Sequence, residues 1–431
     1  MSARGRLDGV RRLVTASDAR LLLVVSVAIY ALFTLISALL GYEFNGLVNA
    51  LRRLTFLSAV YAMLVLALNL QWGYAGLFNL GVAGFMAIAV YTMGILSTAP
   101  ASSPPGLGLP LPVGILGGVL AATLLGTLSA VPALRLRGDY LAIVTLAFAE
   151  IVRRALRSET LREFSLFGLE MGTGGPRGMS LPPSPGKYLL YSKPREIISE
   201  PTALGDIVFS LAETFETVRA VAVGAVNAVV LVVVVALFYL LLVRVGNSPF
   251  GRVLKSIRED EVVARALGKD TRWFKIKTFA LGCALMGLAG ILWRLGAVAS
   301  TTDFVPMTTF YVFVALIIGG AGSNTGSVLG GAVFVSLILE GPNYVRRLVS
   351  EYANIGTQPT TIFDALGPLA QFEIGPMLAY TLSDVNIAQL RFVLLGVVLI
   401  YLIQNRPEGL LGHRKEVATP IDLSDRGGDD S

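Results

Sequence analysis

Long uncharged stretches dominate what this chain can fold into. Between Leu21 and Leu40 there is no charged residue, and similar stretches recur at roughly 56–71, 74–97, 111–134, 139–157, 220–243, 276–293, 308–322, 327–341 and 390–405. A helix that crosses the hydrocarbon core of a bilayer needs about 20 mostly apolar residues. Only 15% of the residues are charged and 54% are hydrophobic, whereas soluble domains carry about 25% charged residues. The chain therefore reads as an all-α, polytopic helical membrane protein with about ten transmembrane helices. The range is 8–10, because 308–322 and 327–341 are short enough to be half-helices flanking Gly319–Gly331.

Arg4, Arg6, Arg11, Arg12 and Arg20 precede the first stretch. It is longer than the roughly 7–15 residues of a signal-peptide core, and no A-x-A-like cleavage site follows it. Residues 1–20 thus read as a basic cytoplasmic N-terminus and the stretch as an uncleaved span. Basic residues favour the cytoplasmic side of a membrane. The segment 244–275 carries Arg244, Arg252, Lys255, Arg258, Arg265, Lys269, Arg272 and Lys275, and 135–138 reads R-L-R-G. Both ends of the chain are accordingly placed inside, with the transmembrane body at 21–412 and external segments at about 158–219 and 342–389. Arg52 and Arg53 oppose this arrangement, since they fall on the outer side. The tail, residues 413–431, is acidic and Gly-containing, the composition of a disordered segment.

Composition also excludes chemistry. One cysteine, Cys283, and one histidine, His413, rule out intramolecular disulfides and Cys/His zinc clusters. No Ser/His/Asp grouping or metal-ligand cluster is visible, and the glycines of 309–332 are followed by no P-loop lysine. The formal charge of +6 is assigned to basic cytoplasmic loops rather than to nucleic-acid binding. The chain reads as a non-enzyme that binds no cofactor or metal.

Four segments have unusual chemistry. G-Y-A-G-L-F-N-L-G, residues 73–81, concentrates glycine near Asn69, Gln71 and Asn79. This fits close helix packing, or a broken helix lining a substrate path, where exposed backbone is tolerated only around a protein-lined cavity. On the second reading the path residues are Asn69, Gly76, Asn79, Gly81 and, from the second glycine cluster, Gly320. Glu150 lies three and four residues before Arg153 and Arg154, a spacing that puts an ion pair on one helix face; a proton relay is the alternative. In 244–275, Ser248-Pro249 has the form of a helix start, Val253, Ile257, Val262 and Leu267 form an apolar stripe, and Gly268 is placed to end the helix. Such a helix suits either the inner membrane surface or a soluble partner's groove.

These segments resemble the permease subunits of branched-chain amino acid ABC importers, LivM type. The blocks are G-Y-A-G-L-F-N-L-G (73–81), R-L-R-G-D-Y-L-A-I-V-T-L (135–146), G-R-V-L-K-S-I-R-E-D-E-V-V-A-R-A-L-G (251–268), I-G-G-A-G-S-N-T-G-S-V-L-G-G-A (318–332) and R-P-E-G-L-L-G (406–412). Two departures are visible: Glu261, Ala264, Ala266 and Gly268 approximate the family's E-A-A…G pattern with altered spacing, and 342–389 is longer than usual. The resemblance implies a multi-pass subunit of the inner (plasma) membrane that hydrolyses nothing itself. It implies a second similar permease chain, two cytoplasmic ATPase subunits that hold ATP and Mg, and an external solute-binding protein delivering leucine, isoleucine or valine. It also implies that Arg258, Glu259, Asp260, Glu261, Ala264, Ala266 and Gly268 couple the chain to the ATPase. Permeases of the same type for urea or short amides look similar, and an ion-coupled secondary carrier in which Glu150 titrates is the alternative from another class.

Overall fold

The computed structural model describes residues 18–133, 139–196, 199–352, 359, 361–368, 374–381 and 386–411. Most of the predicted 1–20 terminus, the 135–138 segment and the 413–431 tail with His413 lie outside the described residues. The described fold is mostly helical, with two small two-stranded sheets.

The centre is α2, Phe44–Leu68, which follows α1, Asp18–Leu39. Every residue from Ala59 to Gln71 is buried; a helix that is hydrophobic all round belongs in the interior. A π turn, Asn69–Tyr74, continues α2, and a buried non-helical passage then leads to α3, Val82–Ser97. Around this core stand α4 (Leu111–Ala133), α5 (Asp139–Arg157), α8 (Arg219–Asn247) and α11 (Thr271–Arg294). The short α6 (Pro185–Leu190) and α7 (Ala203–Thr214) precede α8. α9 (Pro249–Glu259) and α10 (Glu261–Ala266) join α8 to α11. The chain then folds a hairpin of α12 (Pro306–Gly319) and α13 (Asn324–Phe334). A second π turn, Val335–Glu340, runs into α14, Gly341–Tyr352. The short α15 (Ile362–Leu366) and α16 (Gly375–Thr381) follow, and α17 (Ile387–Asn405) closes the bundle.

The outward faces identify the solvent. Leu116, Leu120, Leu124 and Leu128 of α4 recur every fourth residue and are largely exposed, as are Val229, Val233, Leu237 and Leu240 of α8. Apolar patches of this extent are rare on proteins that face water and ordinary on surfaces that face lipid. Among the described residues six helices have the length and composition to cross a membrane, and three shorter apolar helices, Val82–Ser97, Pro306–Gly319 and Gln389–Leu402, accompany them. This is a helical membrane protein.

Several boundaries differ from the sequence reading. The span expected at 56–71 begins at Phe44, so Arg52 and Arg53 lie on α2 rather than in a loop, and Glu340 pairs with Arg53 at 3.0 Å. The span expected to begin at 74 is interrupted until Val82. The segment 327–341 belongs to a continuous helical rod, Asn324–Tyr352, which reaches into the region read as external. The hairpin of α12 and α13 is close-packed: a side chain on Gly326 would collide with the Gly319 carbonyl, and one on Gly330 with that of Ala315.

The two ends of the bundle differ. The near end carries α9 and α10; there Leu410 and Leu411 donate backbone hydrogen bonds to Ile318 and Gly319. Since α1 precedes α2 by a short turn at the far end and runs back along it, its Asp18 start also faces the near end. The far end holds β1 (Phe164–Leu166) paired with β2 (Leu169–Met171), and β3 (Met179–Ser180) paired with β4 (Val298–Ala299).

Gly326→Val should cost about 1–3 kcal/mol, the usual penalty for overpacking, and lower the melting temperature of the purified chain by several degrees. Gly396→Ala, at a helical position where a Cβ meets nothing within 4 Å, should be neutral or stabilise by up to about 1 kcal/mol. Detergent-phase thermal unfolding of the two variants checks the contrast; equal effects would contradict the close-packed hairpin.

Candidate functional site

The polar residues predicted around 69–81 gather at the near end, where α2 breaks. Residues 76–81 make no helix, and Leu77, Asn79 and Gly81 are nevertheless buried. A buried break strands backbone donors that water would otherwise satisfy. Here side chains satisfy them. Leu80 N–H donates to Thr145 Oγ1 at 3.0 Å, Gly81 N–H to Asn79 Oδ1 at 2.8 Å, and Ala83 N–H to Thr309 Oγ1 at 3.1 Å. Asn79 Nδ2 in turn donates to Gln71 Oε1 at 2.8 Å, and Gln71 Nε2 donates to the Phe279 carbonyl at 3.0 Å. The break is thereby stitched to α5, α11 and α12.

Asn69, first residue of the π turn, makes the connection to the second glycine cluster. Its Oδ1 accepts from Gly322 N–H at 2.7 Å and its Nδ2 donates to Asn324 Oδ1 at 3.2 Å. Gly320 caps α12 at φ +100° and Gly322 lies at φ +97°; both values are in the left-handed region that glycine reaches without a Cβ clash. Gly76 turns the chain on the other side at φ +67°. The aromatic rings of Trp72, Phe78 and Phe313 pack together beside this junction, with centroids 5.0 to 5.5 Å apart.

Arg258 ties the near-end helices to the same place. It belongs to the last turn of α9, and its guanidinium donates to the Gly73 carbonyl. The same side chain lies where a Cβ on Gly76 or on Gly322 would meet it, at 3.5 and 3.0 Å. One arginine thus touches both glycine turns. Lys255, one helical turn earlier, stands over the Tyr74 ring at 5.6 Å.

The rest of the predicted coupling segment forms two helices instead of the one continuous helix expected. Asp260 adopts extended backbone at φ −152°, and its carboxylate caps α10 by accepting from Val262 and Val263 N–H at 2.8 and 3.1 Å. Aspartate competes for the helical backbone in this way, which divides the element. The buried stripe is Leu254, Ile257 and Ala264, while Val262 and Leu267 are exposed. Ser248 caps α9 with Pro249 following, and Gly268 ends the second helix at φ +78°. Glu259 and Ala266 face outward. Glu261 binds α10 to the start of α11: its carboxylate accepts from Lys275 Nζ at 2.5 Å, Thr271 Oγ1 at 3.0 Å and Arg265 Nη2 at 3.1 Å. Burial pushes the Glu261 carboxyl pKa upward, but the Lys275 hydrogen bond and charge, with Thr271 and Arg265, outweigh it and hold the group below its ordinary value.

Glu150 forms the helix-face ion pair, with Arg153 Nη2 at 2.6 Å and Arg154 Nε at 2.8 Å. Among the described residues no group of three or more His, Cys, Asp or Glu is arranged to hold a metal ion. Sequence reasoning grouped Asn69, Gln71 and Asn79 but passed over Asn324, the partner of Asn69, and Thr145 and Thr309, which accept from the Leu80 and Ala83 N–H groups. Their signal was present: each is a polar side chain in an apolar helix that accounts for one donor or acceptor.

A family model described as branched-chain amino acid transport system / permease component matches residues 50–347. The chain is similar to the high-affinity branched-chain amino acid transport system permease proteins LivM of Salmonella typhimurium and Escherichia coli. Each is 34% identical over 286 residues, 65% of this chain and 60% of the relative's own length. A probable branched-chain amino acid transport permease protein LivM of Methanocaldococcus jannaschii is 24% identical over 391 residues, 84% of this chain and 93% of that one. No solved structure matches the chain.

Because the Glu261 carboxyl is depressed in the fold, its contribution to stability is complete above the ordinary carboxylate pKa of about 4.3 and is lost as pH falls through the lower folded value. Hydrogen exchange of the α10 amides should show protection that is constant near neutral pH and drops below about pH 4. In Glu261→Gln protection should be weaker at neutral pH and should vary less with pH, the Asp260 cap remaining; an unchanged profile would contradict the role given to Glu261.

Proposed function

The chain belongs to the branched-chain amino acid transport permease family, and from that premise we propose that it is one transmembrane half of an ATP-driven importer for leucine, isoleucine and valine in the inner (plasma) membrane. The near end faces the cytoplasm, so both chain ends lie inside. A second, similar permease chain completes the translocation path. Two cytoplasmic ATPase subunits carry ATP and Mg, α9 and α10 of this chain sit in a groove of the ATPase, and an external binding protein delivers the solute at the far end. This chain itself performs no hydrolysis.

The observation that carries the reading is the Arg258 side chain, which joins the docking element to the broken helix. Val262 and Leu267 are 74% and 73% exposed at the tip, which suits insertion into a partner's groove. Arg258, on the inner side of the same element, holds the Gly73 carbonyl and abuts Gly76 and Gly322. A rigid-body shift of α9 and α10 on ATPase closure would therefore move the two glycine turns directly. Such turns absorb backbone rotation that a regular helix resists. The work done on the membrane conformation equals the difference in docking energy between ATPase states. Asn69, Asn79, Gly76, Gly81 and Gly320 frame the part of the path that is displaced.

Mild-detergent purification of the tagged chain from its native membranes tests the assembly: two ATPase-type chains and a second permease should accompany it. Recovery of the chain alone, with uptake persisting when ATP is depleted and the ion gradient held, would favour the secondary-carrier alternative. Within the assembled importer, Gly268→Val or Glu261→Ala should lower uptake severalfold while leaving the binding protein's ligand affinity unchanged. Asn79→Leu should reduce flux by removing the Gln71 and Gly81 contacts; intact flux would remove Asn79 from the moving region.

A further inference from the structure

The far end contains a charged cavity that the coupling role does not use. Phe44–Tyr74 has 31 residues and Asn324–Tyr352 has 29, while about 20 cross the hydrocarbon. Each helix is therefore roughly two to three turns longer than one crossing requires at 3.6 residues per turn. At the far end the first turns of α2 and the start of α14 meet the α1–α2 connection and line an open cavity of about 680 Å³, within the range of small-molecule sites. Tyr42, Asn49, Arg53, Glu340, Asn343 and Arg347 are among its walls.

The charges have an order. Glu340 is buried, its side chain 7% exposed, and it takes Arg53, 63% exposed, at 3.0 Å. Arg347 lies with its guanidinium 5.8 Å from the centre of the Tyr42 ring and donates to the Tyr42 hydroxyl. Asn343 is fixed from behind by Arg391 Nη2 at 3.0 Å. The second π turn ends on Glu340; such turns recur at functional sites because they re-aim the side chains that follow. A bare anion would meet the Glu43 and Glu340 carboxylates, and a bare cation would meet Arg53, Arg346 and Arg347. A neutral urea or amide needs neither charge. The arrangement suits an ammonium and an anionic group a few bonds apart, as in a free α-amino acid or the headgroup of an ethanolamine phospholipid.

We propose that this cavity is an entry site that binds the main-chain charges of a free α-amino acid, with Arg53 and Arg347 receiving the carboxylate and Glu340 the ammonium. The inference rests on the importer reading and sharpens it: recognition here is of what all α-amino acids share, and it separates amino acids from urea and amides. Charge-assisted contacts of this kind give a bidentate, oriented complex.

The test is saturation-transfer NMR on the full chain in phosphatidylcholine nanodiscs, without partners. Leucine should give a signal that alanine displaces. Isopentylamine, which lacks the carboxylate, 4-methylpentanoate, which lacks the ammonium, and urea should not displace it. Arg347→Ala, at an exposed side chain, and Glu340→Gln should each weaken leucine binding about tenfold or more, as expected for loss of a charged hydrogen bond; thermal unfolding of each variant identifies a folding failure, and Arg347→Lys should restore part of the binding. Displacement by isopentylamine or urea, or variants that bind leucine as well as the parent, would overturn the proposal. Loss of leucine signal on adding phosphatidylethanolamine, with no leucine signal in phosphatidylcholine alone, would assign the cavity to lipid and overturn it also. The two readings fail separately: leucine binding with ATP-independent uptake would sink the importer and keep the site, and ATP-driven uptake without leucine binding at the chain would do the reverse.

Discussion

A guanidinium on a backbone carbonyl, Arg258 on Gly73, is the contact on which the near end of this protein turns. A helix carbonyl normally has its partner four residues ahead, so a side chain can reach it only where the helix has stopped. The π turn at Asn69–Tyr74 and the non-helical passage after it open that position. The absence of a side chain at Gly322 leaves room for the Arg258 guanidinium, and its absence at Gly73 leaves room for Asn69 and the Gly322 backbone. A side chain at Gly322 would crowd the arginine, and one at Gly73 would crowd the Asn69 junction.

The break is tolerable because its polar groups are accounted for. Unsatisfied backbone groups cost several kcal/mol in a water-free interior, roughly 2–7 by reference state. Thr145, Asn79 and Thr309 accept from three consecutive stretches of the break. The Asn69 amide then fastens the break to Gly322 and Asn324. The result is an interruption held by side chains from several helices. The far end is built differently, with Glu340 and Arg53 paired in the wall of a cavity.

Much of this was legible in the sequence. The span-like stretches gave the class, the glycine and amide cluster at 69–81 marked the break, and Ser248-Pro249 and Gly268 marked the limits of the α9–α10 segment. Three things were not legible. A helix that begins well before its apolar stretch looks like a loop followed by a span, so the place of Arg52 and Arg53 on α2 could not be read from the sequence. A single Asp260 dividing one helix into two is invisible to periodicity, since both halves keep apolar residues at helical spacing. The pairing of Arg258 with Gly73 joins positions 185 apart in sequence, and local pattern carries no information about such a contact.

The most direct test of the account is the ratio of solute imported to ATP hydrolysed by the assembled importer carrying Arg258→Met, with Arg258→Lys beside it. The account predicts that hydrolysis continues while uptake per ATP falls about fivefold or more, the scale of a coupling free energy of 1 kcal/mol or above, and that lysine recovers part of it. A ratio equal to that of the unmodified importer would contradict the claim that motion passes from α9 to the broken helix through this side chain.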